Sequence, residues 1–324
     1  MEDKNFVEQT IVLTDNKISN DEPQKSRKST FWSDITLEPM WIGIFVSLGF
    51  DIVVSKNLYI QRACTVDLGY SEDICYVEGS LNATVEIAAQ QLVSAASVTS
   101  SLIAGSLTII LVTFLGPWSD ASGRRKPLML LSIGSSLVAS LTTMIVLALP
   151  QLPVLWVIYM KTIPMALGSI PLLGLSAYSY LGDVCYKTLR NATVVMGRNG
   201  TAMHIAIVFG SFFAPIIYNA LGFEGIATIS FLLQLTSFMY VYLKVEDFNV
   251  SEKIPSILDI TLPLKGFKCL FKKREGYKRR ILMTMLFIPT TNTLIGANEI
   301  AIRYLYLRNT FSWTASEYGT LLSI

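Results

Sequence analysis

The chain has 324 residues, of which 52% are hydrophobic and only 15% charged. A mean hydropathy of +0.48 excludes an ordinary soluble domain and points to a membrane protein. The formal net charge of +2 singles out no partner by itself, and no nucleic-acid ligand is expected.

Residues 1–37 are polar, of mixed charge and without a signal-peptide pattern, so they predict a disordered cytoplasmic tail. Crossing a bilayer takes about 20 apolar residues. Seven stretches qualify, at 38–60, 88–114, 127–149, 153–181, 200–220, 225–243 and 281–306. An eighth begins near Ser316 and holds nine residues to Ile324. At 1.5 Å per residue these do not cross about 30 Å of hydrocarbon, so the expectation is a chain cut off inside a span. The predicted fold class is all-α, a polytopic membrane helical bundle. It divides into a six-helix bundle at 38–243, a basic cytoplasmic linker at 244–280 and the start of a second bundle at 281–324. Transporters with two parallel halves are laid out this way. Within the spans, Pro164, Gly168, Pro171 and Gly174 in the fourth, and Gly200, Gly210 and Pro215 in the fifth, predict close helix packing and bends.

Of 26 Lys and Arg residues, 21 fall in segments 1–37, 115–127, 182–199 and 244–280, which places those segments and the N-terminus in the cytoplasm. Trp32, Trp41, Trp118, Trp156 and Trp313 lie near predicted helix ends, where indoles sit at headgroup depth. The linker's basic runs, Lys272-Lys273-Arg274 and Lys278-Arg279-Arg280, serve topology or contact anionic inner-leaflet lipid or a cytoplasmic partner. Cys185 and Cys269 fall on the reducing side. Cys64 and Cys75 share the outer loop after the first span, either bridged to each other or left as free or otherwise paired thiols. In the same loop Asn82-Ala83-Thr84 is a glycosylation acceptor on the outer side, whereas the sequons at Asn191, Asn199 and Asn249 face the wrong way.

Between the second and third spans the run Gly116-Pro117-Trp118-Ser119-Asp120-Ala121-Ser122-Gly123-Arg124-Arg125-Lys126 occupies a very short predicted loop. Gly116 permits close helix contact and Gly123 a tight turn. Asp120 is expected to accept bonds from Arg124 or from a neighbouring helix N-terminus. Arg124 and Arg125 reach carboxylates or carbonyls of adjacent helices. A stop-transfer loop explains only the three cations. The spacing Gly-x3-Asp-x2-Gly-Arg-Arg-Lys resembles the loop between the second and third helices of major facilitator transporters, which implies a gate that latches two bundles. Ala121 departs from that pattern, where a cation is common.

Further residues resemble a narrower group. Glu38-Pro39, Asp67-Leu68-Gly69-Tyr70 with Cys75, Gly182-Asp183-Val184, Gly296-Ala297-Asn298-Glu299 and Tyr318-Gly319, taken in order, are similar to the proton-coupled folate transporter group, solute carrier family 46, and most of all to an insect-type paralogue. The resemblance implies a major facilitator fold, a small organic solute and proton symport. The departures bear on coupling and cargo. Arg198 stands at the position of a proton-coupling glutamate, Leu294 at that of a histidine, and Ser312 at that of the cysteine that pairs with the match of Cys75; the last favours Cys64 as the local partner.

Ionisable residues inside spans face a cavity or a partner. Asp51 and Lys56 lie in the first span, Lys161 in the fourth, and Glu299 and Arg303 four apart in the seventh. Glu299–Arg303 reads as a structural ion pair or as a substrate or gate element. Lys161 either snorkels or meets an anionic group in the central cavity. Asp51 counters Lys56 or Lys161, or takes up a proton. His204, in the fifth span, reads as an interhelical hydrogen bonder or a proton relay. No phosphate-cradling loop, metal cluster or enzyme signature is present, so no cofactor and no metal are expected. The expected function is alternating-access transport of a small organic solute, such as an organic anion or a folate-like compound, at the plasma or endolysosomal membrane. The competing readings are a seven-helix receptor and a non-transporting scaffold.

Overall fold

The computed structural model describes residues 35–75, 83–168 and 170–247, most of 250–288 and a few positions beyond. In hydrocarbon every backbone N–H and C=O must be satisfied internally, and the described chain answers with helices. They are α1 Glu38–Arg62, α2 Glu72–Cys75, α3 Ala83–Ser122, α4 Lys126–Ala148, α5 Val154–Leu167, α6 Ile170–Thr188, α7 Ala192–Lys244 and α8 Thr261–Phe271. No strand occurs among the described residues. Among the described residues, five helical runs are long and apolar enough to cross a membrane.

The helices outrun the predicted spans. α3 continues to Ser122 and α6 to Thr188, and α7 begins at Ala192, so the loops expected at 115–127 and 182–199 shrink to Gly123–Arg125 and Leu189–Asn191. Hydropathy marks only the hydrocarbon core; a helix carries on past it wherever its carbonyls still meet N–H groups, as Ser119 O meets Gly123 N at 2.9 Å. α3 stops there because Gly123 turns to a φ of +70°, the left-handed C-terminal position that glycine occupies without strain. The fourth span is broken rather than continuous. α5 ends at Gly168, where a Cβ would stand 2.0 Å from Ser135 Oγ and 2.7 Å from Leu131 O of α4. Pro171 then lacks the N–H that would bond the carbonyl four residues back.

The predicted fifth and sixth spans are the two arms of α7, which doubles back at Gly222, the one residue of that helix with non-helical dihedrals. Both arms grip α1. Glu38 meets Arg198 and Asn199, and a Cβ on Gly210 would lie 2.3 Å from Val46 O, so the first arm runs alongside α1. Ser237 Oγ donates to Met40 O at 3.3 Å, and Phe50 packs with Ile226, so the second arm returns antiparallel. Small residues permit this approach: Ala206, Gly210 and Ala214 are buried at four-residue spacing opposite Gly49.

Two apolar cores hold the bundle ends. One, around Trp41, Met129, Ile133, Ala177 and Val241, lies toward Glu38; the other, around Ile60, Cys64, Cys75, Val93 and Val154, lies at the far end. Trp41 and Trp118 are buried in this packing and only Trp156 of the described spans is largely exposed, which corrects the expectation of an interfacial belt for the first two. The far end is clamped by charge on helix termini. Asp67 accepts from Val154 N at 2.9 Å at the start of α5, and Arg62 donates to the carbonyls of Val146 and Pro150 at the end of α4. Residues 281–306 fall largely outside the described positions.

Candidate functional site

Two charged constellations stand out. The first lies inside the bundle. α1 presents Asp51, Ser55 and Tyr59 at four-residue spacing, which places them on one helix face. α5 carries Lys161 to the same level. The Lys161 ammonium donates to Asp51 Oδ1, and Tyr59 lines the same cleft. Lys161 is largely buried, its side chain 15% exposed. Asp51 therefore pairs with Lys161 and not with Lys56, and Lys161 does not snorkel. Lys56 Nζ instead reaches Ser97 Oγ of α3 at 3.3 Å. The pair opens onto a cleft of about 100 Å³ between α1, α4, α5 and the second arm of α7. Its polar lining includes a chain in which Ser140 donates to Gln234 and Gln234 to Ser47, each at 2.8 Å. A charge taken out of water costs several kcal/mol unless partnered, so this grouping is deliberate in the sense that random burial would not sustain it.

The second constellation caps the Glu38 end. Arg125 Nη1 donates to Asp120 Oδ1 at 2.5 Å and to Ser119 Oγ at 3.1 Å, while Nε donates to Asp183 Oδ2 of α6 at 3.2 Å. Asp120 is thus partnered by Arg125, not Arg124, because it sits on the last turns of α3 rather than in a loop. The backbone around Arg124 is locked instead: Ser119 Oγ donates to its carbonyl at 2.8 Å and its N–H donates to Ser122 Oγ at 3.3 Å. The neighbouring helix N-terminus that Asp120 was expected to find is taken by Asp247, whose Oδ1 accepts from the N–H groups of Arg125 and Lys126 at 2.8 Å each. Gly116 faces α6, with a Cβ there 3.0 Å from Leu175 Cδ2. The segment after α7 straps across this turn. Ser251 N donates to Ser122 O at 2.9 Å and Trp118 Nε1 to Pro255 O at 3.1 Å. Alongside, Arg198 Nε donates to Glu38 Oε1 at 2.5 Å, joining the starts of α1 and α7.

The other predicted residues separate. His204 is exposed and its Nδ1 lies 2.7 Å from Gly200 O of its own helix, which corrects the interhelical expectation: the ring points along α7 rather than across to a neighbour. Cys64 and Cys75 are joined by a disulfide. Arg303 is half-buried, whereas Glu299 and Asn82 lie outside the described residues. Asn191 caps α7 by accepting from Thr193 N at 3.0 Å, and Asn199 is buried against Glu38. Sequence reasoning missed Tyr59, Gln234 and Asp247. The Asp51-Ser55-Tyr59 periodicity was available for the first; Asp247 stands 122 residues from the helix start it caps and carries no local signal.

Comparison with known proteins agrees with this architecture. The family model for the Major Facilitator Superfamily matches residues 73–324. The chain is 22% identical over 311 residues to a Drosophila melanogaster protein described as a probable peptidoglycan muropeptide transporter SLC46. That alignment covers 91% of this chain and 59% of the relative, so the chain spans about 59% of that protein's length.

Proposed function

The chain belongs to the major facilitator superfamily, and on that footing we propose that it carries a small organic anion across a membrane by alternating access. The observation that carries this reading is the Lys161–Asp51 pair, which lies within the spans and lines the cleft. Lys161 is the cationic side chain of that cleft, and an anionic solute can take the place of Asp51 as its partner. The Drosophila relative's description supports the solute class, since muropeptides carry free carboxylates. The Lys/Arg distribution supports a cytoplasmic Glu38 end, with Asn82 on the outer side as the glycan site.

In this reading Lys161 is the group that exchanges partners. With the cleft empty it pairs with Asp51; a solute carboxylate competes for it, and Asp51 then takes up a proton, which couples uptake to a proton gradient. The Asp120–Arg125–Asp183 cluster latches the cytoplasmic helix ends and rearranges as the bundle rocks.

Uptake of labelled carboxylate-bearing glycopeptides into proteoliposomes tests the reading. Lys161→Gln is expected to reduce uptake about tenfold or more, equivalent to at least about 1.4 kcal/mol, and an inward proton gradient is expected to accelerate the parent. Unchanged uptake by Lys161→Gln overturns the assignment of the site. Indifference to the gradient removes proton coupling alone.

A further inference from the structure

α8 follows α7 after the connection 245–260 and lies against the end of α3. Its sequence carries three files of residues. Leu262 packs into the cluster formed by Leu111, Val112, Leu115 and Trp118, and Pro263 is buried, so this side is the docking side. Ile260, Leu264, Phe267 and Phe271 recur at spacings of four, three and four, which aligns them in one stripe. All four are exposed, at 65%, 52%, 55% and 60%. Lys265, Lys268 and Lys272 recur at spacings of three and four along the flank of that stripe, and all are exposed.

The depth of the helix relative to the bundle is fixed by its contacts. Leu262 sits at the level of the last apolar turns of α3, and the strap leading into α8 is tied to Trp118 through Pro255. An exposed apolar stripe at that level meets acyl chains, and lysines on its flank meet headgroups. Ammonium groups placed at a headgroup layer favour anionic over zwitterionic lipid, by about fivefold for each lysine.

We propose that α8 is an in-plane helix that selects anionic phospholipid on the leaflet at the Glu38 end of the bundle, its apolar stripe seated among acyl chains and Lys265, Lys268 and Lys272 contacting the acidic headgroups. Because α8 is tied to Trp118 and Ser122, the lipid then bears on the turn that holds Asp120 and Arg125. The inference does not depend on what is transported.

Bilayer-reconstituted protein carrying Phe267→Trp, compared with the parent to subtract native indoles, reports the lipid around α8. Acyl-brominated phosphatidylserine and acyl-brominated phosphatidylcholine are used as quenchers at equal mole fraction. The expected result is about fivefold or greater preference for the serine lipid, abolished by K265Q/K268Q/K272Q and kept by the corresponding arginine triple variant. Equal quenching by the two lipids, with or without the lysines, overturns the selectivity. Absence of quenching by either lipid in folded protein overturns the in-plane placement and shows the stripe covered by protein.

Discussion

At Arg125 one guanidinium, 13% exposed, serves two carboxylates and a hydroxyl, while the backbone N–H of the same residue bonds a third carboxylate. A lysine presents a point charge in place of this planar fork and cannot hold Asp120 and Asp183 in the same directions. Arg125→Lys and Asp120→Asn are therefore expected to slow transport severalfold while leaving surface expression and thermal unfolding close to those of the parent, because Asp247 still caps α4. Initial uptake rates measured beside unfolding curves check this; wild-type rates in both variants would remove the latch. How much of this cluster was legible in the sequence follows from its chemistry. Gly116, Asp120, Gly123 and Arg125 stood out through their spacing. Asp183 was visible as part of a resemblance, without a role. Asp247 was not visible, because a carboxylate capping a distant helix leaves no periodicity. The same holds for Glu38 and Arg198, which are 160 residues apart and meet only because α1 and α7 pack side by side.

That packing is the clearest test at the level of elements. A Cβ on Gly210 would collide with the backbone carbonyl of Val46, and one on Gly49 with Ile207 O at 2.6 Å. Backbone atoms cannot step aside as the tip of a side chain does. Gly210→Val is expected to cost about 1–3 kcal/mol or to separate α1 from α7. Gly105 in α3 has no atom within 4 Å of such a Cβ, so Gly105→Ala is expected to be neutral or to stabilise by about 0.5–1 kcal/mol. Thermal unfolding in detergent distinguishes the two sites, and similar losses at both would contradict the close approach. Element positions were readable from hydropathy, whereas element ends were not. The polar turns of α3 around Asp120 and of α6 around Asp183 lie beyond the hydrocarbon, and hydropathy there falls although the helix continues. Gly168 and Pro171 announced a bend in the fourth span but not a break. α8 escaped notice because 11 residues of mixed Lys and apolar character read as linker charge unless the lysine file is separated from the apolar ones.

For the whole molecule, the two ends of the bundle are fastened by different means. At the Glu38 end the ties are ion pairs and strap hydrogen bonds, which exchange readily. At the far end the Cys64–Cys75 disulfide joins the Asp67 and Arg62 contacts on helix termini. Replacing both cysteines with serine is expected to lower stability by up to about 3 kcal/mol through the freed segment's entropy. It should loosen the far end while leaving the Arg125 cluster in place. Hydrogen exchange resolved along the chain measures this, and equal loss of protection at both ends would show that they are not independently fastened. The grip of α7 on α1 has a consequence during synthesis as well. Lys244 is made 182 residues after Arg62. At about 5–20 residues per second the ribosome takes on the order of ten to forty seconds to supply both arms. Until the first arm is made Gly49 stays uncovered and Glu38 lacks Arg198, and Gly43 waits longer, for Leu233 and Ser237 of the second arm, a nascent state in which the small-residue face of the first helix is open to any other helix the insertion machinery holds nearby.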